Sequence, residues 1–315
     1  MKGVIIYTIN MINNIENFKS GFVAIIGRTN VGKSSILNEL VGEKVALVAN
    51  KPQATRTNIK AIINRKNSQI IFTDTPGIHK PKSKLGNIMN ESAWTSIPDA
   101  DVILFVVEAN SEGIGKGDQM ILDKIKEAKS KVILIINKID LVKKEQVLKM
   151  IEAFKDEYDF KAIIPTSVVK KLDKDVILDE IEKNLSVGPA YYNIDEYTDQ
   201  SLRDLASETI REKALKLLQD EVPHGILVEI EKMKKSKTKE NKPIFNVEAT
   251  IYCVRDSHKG IIIGKNGTML KKIGSYARED LEDLLQEKVN LQLWVKVKKD
   301  WINNEAIVNK FKKQD

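Results

Sequence analysis

The sequence predicts an α/β protein in two parts: a doubly wound, mostly parallel sheet, then a smaller α+β domain. Three observations predict it. From Gly21 onward, short apolar runs alternate with longer amphipathic ones, the pattern of strands joined by helical crossovers. Around Ser186-Val187-Gly188-Pro189 that rhythm changes. Finally, 315 residues at about 150 per domain leave room for two cores. The expected division is an N-terminal extension (residues 1–20), a first domain (21–188), a linker (189–200) and a second domain (201–315).

In the first domain, Phe22 to Ile26, Lys60 to Ile63, Ile70 to Thr73, Val102 to Val107, Val132 to Ile136 and Ala162 to Ile164 read as strands. Lys33 to Val41, Lys116 to Ala128 and Lys144 to Asp156 read as helices. The runs Lys60–Arg65 and Gln69–Asp74 are separated only by Lys66-Asn67-Ser68, too short for a helical crossover, so they are expected to form an antiparallel hairpin. In the second domain, Ser201 to Glu221 is a helix with Leu202, Leu205, Ile210, Ala214, Leu217 and Leu218 largely on one face and Ser201 as its cap. Strand-like runs Gly225 to Met233 and Ile244 to Val254 flank the lysine-rich Lys234 to Lys242. A glycine-marked loop, a helix to about Lys288, a strand from Val289 to Lys298 and a short basic tail helix follow.

Composition excludes several classes. With 42% hydrophobic residues the chain is not predominantly disordered. Its longest apolar runs fall far short of the ~20 residues that cross a bilayer. Met1 to Ser20 carries one lysine and an interrupted apolar run, unlike a signal peptide, and Met11 is an alternative start. The single cysteine, Cys253, is expected as a small buried hydrophobe, in keeping with a reducing compartment. His79, His224 and His258 are too few and scattered for a histidine metal site. The net charge of +7 and pI near 9.1 suit a polyanionic partner.

Gly27-Arg28-Thr29-Asn30-Val31-Gly32-Lys33-Ser34 fits G-x-x-x-x-G-K-[ST] between a strand and a helix. Glycines let backbone N–H groups turn inward around phosphates, and the helix aims its positive end at them. Lys33 is expected at the β- and γ-phosphates, Ser34 on Mg²⁺, and Ser35 beside them. Asp74-Thr75-Pro76-Gly77 ends the Ile70 to Thr73 strand. Asp74 suits the Mg²⁺ shell through water, and the Gly77 N–H suits the γ-phosphate. Alone such a turn is weak evidence; after the upstream loop it is strong. Lys51-Pro52-Gln53-Ala54-Thr55-Arg56-Thr57 lies where a mobile loop brings a second hydroxyl to Mg²⁺, with Thr55 preferred and Thr57 the alternative.

Asn137-Lys138-Ile139-Asp140 follows the Val132 to Ile136 strand and points to guanine. The Asp140 carboxylate accepts from N1–H and the 2-amino group, which adenine lacks. Asn137 faces guanine N7, the Lys138 stem lies along the base, and Ser167-Val168 offers backbone N–H groups. GTP and GDP are therefore the expected nucleotides. Ile78, after Gly77, cannot orient a water, so hydrolysis is expected to be slow without help. Asn30 suits either a K⁺ ion near the β/γ bridge or simply a turn.

In the second domain, Gly264-Lys265-Asn266-Gly267 is a G-x-x-G loop opening a helix, the arrangement with which KH modules clamp single-stranded RNA. Glu231 to Lys272 holds 11 basic and 4 acidic residues, whereas Pro189–Ile230 holds 4 and 9, so the positive charge is local. Lys259 and Lys271 join the loop residues as candidate RNA contacts. RNA is the expected partner rather than DNA, although charge alone does not distinguish them.

These residues resemble the bacterial Era GTPases from about Lys19 to the C-terminus. The resemblance is most specific at Gly21-Phe22-Val23-Ala24-Ile25-Ile26-Gly27, Asp74 to Pro81, Val222-Pro223-His224-Gly225 and Ile262-Ile263-Gly264-Lys265. It implies a Ras-like P-loop GTPase domain followed by a type II KH domain, binding near the 3′ end of 16S ribosomal RNA, and a role in assembly of the 30S subunit. It further implies a peripheral place at the inner membrane face; a cytoplasmic protein, and a monomer, are expected. Thr29, Ser35, Ala54 and Asn266 depart from the family's usual residues; Thr55 and both glycines of the second loop do not. Two rivals remain at this point: a P-loop enzyme acting on a small molecule, and a membrane-recruited GTPase using the basic tail Lys296 to Lys313.

Overall fold

A computed structural model describes residues 17–49, 51, 54–109, 113–128, 130–170, 173–220 and 222–311. The extension up to residue 16, Pro52 and Gln53 of the expected mobile loop, Glu221, and Lys312 and Lys313 of the tail lie outside the described residues.

The first sheet is built from β1 (Lys19–Ile26), β2 (Ile59–Asn64), β3 (Ser68–Asp74), β4 (Val102–Glu108), β5 (Lys131–Asn137), β6 (Ala162–Pro165) and the short β7 (Ser186–Val187). Its order is β2-β3-β1-β4-β5-β6, with β7 antiparallel to the start of β1. All other pairs are parallel except the β2–β3 hairpin, where Ile59 faces Asp74 and Asn64 faces Gln69. Side chains alternate between two cores. Val23, Val102, Leu104, Val106, Ile133 and Ile135 pack on one face; Ala24, Ile103, Phe105, Val107, Leu134 and Ile136 on the other. Burial on both faces explains why these strands read as continuous apolar runs.

Helices α1 (Lys33–Val41), α2 (Lys84–Thr95), α3 (Lys116–Ala128), α4 (Lys144–Lys155) and α5 (Lys174–Asn184) cover the two faces. The sequence does not announce α2, which carries Gly86, Asn87 and Asn90; Ser83 caps it by accepting from the Gly86 N–H at 3.1 Å. The expected extension is corrected at its end. Lys19 and Ser20 belong to β1, and Lys19 Nζ donates to the Glu182 and Lys183 carbonyls at the C-terminal end of α5.

Residues 189–200 are bound to the first sheet. The Ile62 N–H donates to Tyr197 O at 3.0 Å, Thr198 pairs with Ala61, and buried Gln69 accepts from the Tyr191 and Tyr192 N–H groups. They cover the exposed edge of β2, which would otherwise present unpaired backbone groups.

The second sheet has the order β10-β9-β8: β8 (Leu227–Lys237) is antiparallel to β9 (Pro243–Cys253), and β9 is parallel to β10 (Lys288–Val297). Strand β8 runs through much of the expected lysine-rich separator, because its polar side chains can face solvent while the backbone pairs with β9. α6 (Leu202–Leu217) and α8 (Thr268–Leu285) pack on this sheet through Ile210, Ala214, Ile273, Ala277 and Leu281. Ser201 caps α6, with a reciprocal capping box to Asp204. The helix stops at Leu217, short of the expected Glu221, and Leu202 is exposed. α7 (Asp256–Ile263) is a helix where Ile261 to Ile263 gave no helical signal. Cys253 is buried in β9 as a free thiol. The tail forms a short helix α9 (Glu305–Val308), and Trp301 and Val308 are buried against Leu85 and Met89 of α2.

Candidate functional site

The loop between β1 and α1 is shaped by its glycines. A Cβ at Gly27 would stand 2.4 Å from the Val106 carbonyl oxygen, and one at Gly32 would meet Asn137 Nδ2 at 2.2 Å. Gly32 also has φ +102°, which L residues rarely adopt. Lys33, the first residue of α1, is almost entirely buried and donates from Nζ to the Gly27 and Arg28 carbonyls at 3.0 and 2.9 Å. Burial lowers its pKa to about 8, with the charge of Asp74 opposing.

Beside it three oxygen-bearing side chains converge. Ser34 Oγ donates to Asp74 Oδ2 at 2.7 Å, and Thr55 Oγ1 lies 2.9 Å from Ser34 Oγ and 3.3 Å from Asp74 Oδ2. Asp74 is fully buried, and its Oδ1 has no hydrogen-bond partner among the described residues. Burial raises the carboxyl's pKa, while Lys33 and the Ser34 and Thr55 hydroxyls act the other way. Two hydroxyls and a carboxylate with an unused buried oxygen are hard donors that fit Mg²⁺. Of the two candidate threonines, Thr55 makes these contacts; Thr57 lines a separate hollow with Asn58, Asp199 and Ser207.

Gly77 passes close to the loop, where a Cβ would come 2.6 Å from Thr29 Cα. The Ile78 N–H donates to Gly27 O at 3.2 Å, and its side chain is buried in the core. Asn30 is exposed with φ +65°, a backbone state that asparagine tolerates.

Asn137 Nδ2 donates to Val31 O at 2.8 Å and ties the base-side loop to the phosphate loop. Lys138, also left-handed at φ +63°, donates from Nζ to Asn30 O at 2.8 Å and to Glu108 at 2.7 Å. Asp140 accepts from Ser167 Oγ at 2.5 Å, and that hydroxyl in turn accepts from the Lys170 N–H. Sequence reasoning gave Ser167 only a backbone role and missed both its hydroxyl and Glu108. A Ser167→Ala substitution frees the Asp140 carboxylate to rotate. GTP and GDP affinities are then expected to fall together by about tenfold, the value of one hydrogen bond to a charged group, as calorimetric titration would show.

Most of these groups line one cavity of about 520 Å³, formed by Asn30, Gly32, Lys33, Ser34, Ser35, Thr55, Gly77, Asn137, Lys138, Asp140 and Val168; buried Asp74 reaches it through its bonds to Ser34 and Thr55. Its volume suits a nucleotide.

The second loop sits between α7 and α8. Gly264 has φ +74°, ψ 171° and Asn266 has φ +52°. A Cβ at Gly264 would lie 2.8 Å from Met269 Cβ, whereas around Gly267 the space is open. Lys265, Asn266 and Lys271 are exposed, Lys259 is half-buried, and Ile261 is half exposed beside the loop. Ile261 escaped the sequence reading because an isoleucine in an apolar triplet looks like core.

A phosphate loop with a guanine-type base pocket, followed by a G-x-x-G module on its own sheet, defines a two-domain nucleotide-binding protein with an RNA-binding type of second domain. Residues 22–138 match the family model described as "50S ribosome-binding GTPase", and residues 221–302 match the KH domain model. The chain is 50% identical over 293 residues to GTPase Era of Caldanaerobacter subterraneus subsp. tengcongensis, covering 93% of this chain and 97% of that one. It is also 50% identical over 295 residues to GTPase Era of Clostridioides difficile, covering 93% and 98%. Among solved structures, Era in complex with MgGDPNP and nucleotides 1506–1542 of 16S ribosomal RNA superposes with a TM-score of 0.88 at 41% identity, covering 93% and 98%. A point variant of Aquifex aeolicus Era bound to GDP·AlF4⁻ gives 0.87 at 40%, with the same coverage. The chain belongs to the Era GTPase family.

Proposed function

We propose that the chain is a GTP-hydrolysing switch whose second domain binds the 3′ region of 16S ribosomal RNA, and that it acts in assembly of the 30S subunit. The observation that carries this reading is one cavity lined by Lys33, by Ser34 and Thr55 with buried Asp74 bonded to both, and by Asp140. Ser34, Thr55 and Asp74 would hold Mg²⁺, which when bound offsets charge on the β- and γ-phosphates. Lys33 turns its ammonium from the loop carbonyls to the phosphates. The N–H groups of residues 28–34 donate to phosphate oxygens, and Asp140 accepts from the guanine edge. Buried Ile78 offers no group to orient the attacking water, so intrinsic turnover is slow.

RNA capture is assigned to the 264–267 loop, with Lys259 and Lys271 contributing charge. The test is binding of 3′-terminal 16S RNA to protein loaded with GDP or a non-hydrolysable GTP analogue, across salt concentrations. The exposed pair Lys265→Asp with Asn266→Asp is preferable to a Gly264 substitution, which would collide with Met269. The double variant is expected to lose at least a hundredfold in RNA affinity and retain GTP hydrolysis. Unchanged RNA binding would refute the assignment of the loop, and equal affinities of the two loaded forms would refute the switch.

A further inference from the structure

The segment carrying Thr55 is held from the other domain. Ala54 O accepts from Arg211 Nη2 of α6. Arg56, on the other side of Thr55, donates to Ile226 O at 2.5 Å and His224 O at 3.0 Å, and its guanidinium lies 5.3 Å from the centre of the Trp301 ring. Trp301 Nε1 donates to Gly225 O at 2.9 Å and fixes the same turn. Three successive residues thus make, in order, a contact to the second domain, a contact to Ser34 and Asp74, and a second contact to the second domain.

Both guanidinium groups are buried: Arg56 is 4% exposed and Arg211 2%. Burial, then the neighbouring Arg211 charge, push the Arg56 pKa well down, and Glu208 opposes. Arg56 Nε and Arg211 Nη1 lack hydrogen-bond partners among the described residues. Two buried like charges are a costly way to make a domain contact. Other contacts hold the domains as well: Lys44 bridges Glu212 and Asp280, and Leu85 and Met89 pack with Trp301 and Val308. The arginines are specific in what they grip, the backbone before Thr55 and the side chain after it.

We propose that Arg211 and Arg56 are positioning residues for GTP hydrolysis: the second domain, through them, sets Thr55 at Ser34 and Asp74. This rests on the reading of Ser34, Thr55 and Asp74 as the Mg²⁺ site. An irregular segment of this kind otherwise gives up backbone freedom at every residue on ordering. Anchoring it from a folded domain meets that cost before nucleotide arrives. Hydrolysis is thereby tied to domain docking, and a partner that moves the second domain changes the rate without touching the nucleotide.

The test compares full-length wild type, Arg56→Ala, Arg211→Met and Arg211→Lys. In the first two variants kcat for GTP is expected to fall at least tenfold with GDP affinity unchanged, since GDP binding does not require Thr55. A second readout is independent of turnover: the Mg²⁺ concentration that half-saturates binding of a non-hydrolysable GTP analogue is expected to rise by a similar factor. Arg211→Lys, which keeps a donor for Ala54 O, is expected to recover part of both. Glu208→Gln, at a half-buried site that holds Arg211 through two hydrogen bonds, covers the case in which Arg211→Met fails to fold, with a several-fold effect expected. Wild-type kcat and wild-type Mg²⁺ dependence in Arg56→Ala and Glu208→Gln would overturn the proposal. Ser34→Ala separates the two failures: if it hydrolyses GTP normally, the metal-site reading is wrong; if it is inactive while the arginine variants are normal, only the positioning role is wrong.

Discussion

Asp140→Asn is expected to weaken GTP binding by about a thousandfold and to erase its preference over ATP. The Asp140 carboxylate lines the cavity and is held there by the Ser167 hydroxyl at 2.5 Å. Facing guanine, it accepts two hydrogen bonds, each worth about 1.5–3 kcal/mol because the acceptor is charged. Their sum, about 4 kcal/mol, is a factor near 10³. An asparagine can accept only through its oxygen and points an N–H₂ group at one guanine donor, which turns one attraction into a conflict. A purine bearing a carbonyl where guanine bears its 2-amino group reverses that conflict, so xanthosine triphosphate is expected to bind the variant better than GTP does. Competition among the three nucleoside triphosphates reads this directly. A variant that keeps the wild-type order would remove the guanine assignment.

The motif residues were legible because each does its work locally. Gly32 must be glycine for its own φ and for the clearance to Asn137; Lys33 opens α1 because the loop before it ends a strand. Helices α1 and α3 begin and end where their amphipathic patterns do. Strands β1 to β6 run one to three residues beyond the apolar run at one end or both, since backbone pairing outlasts it, as Ser68, Gln69 and Asp74 of β3 illustrate. What stayed hidden depends on partners distant in the chain. Helix α2 has a weak pattern because its apolar residues Leu85 and Met89 face Trp301 and Val308 of the tail rather than a stripe of the sheet. The tail, a short basic helix in the sequence reading, is a docked segment for the same reason. Thr55 and Thr57 have the same local context, and only Asp74, brought beside Thr55 by the β2–β3 hairpin, distinguishes them. No pattern around Arg56 announces that it leaves its own domain; a lone arginine in a polar loop reads as solvated.

Lys33→Met is expected to abolish nucleotide binding while costing the nucleotide-free fold almost nothing. A lysine whose pKa is lowered from 10.5 to about 8 carries, at neutral pH, a burden on the order of 3 kcal/mol on the folded state, because its charge is better solvated in the unfolded chain. Methionine gives up two hydrogen bonds to the Gly27 and Arg28 carbonyls, about 1 kcal/mol each, and leaves Asp74 without its cation. Loss and relief are of similar size, so the melting temperature without ligand is expected to move by only a few degrees. The pH dependence separates these effects with a definite sign. Between about pH 8 and 10.5 unfolded wild type holds a proton on Lys33 that the folded protein has released, so wild-type stability rises relative to Lys33→Met across that window. GTP affinity runs the opposite way. The phosphates need the ammonium form, so wild-type binding is expected to weaken, and to take up a proton, as pH rises through about 8. Denaturant melts of both proteins from about pH 7 to 10.5, with calorimetry in buffers of different ionisation enthalpy, measure both slopes. If the two proteins kept a constant stability difference over that range, Lys33 would not be the desolvated cation held ready for phosphate that the loop geometry describes.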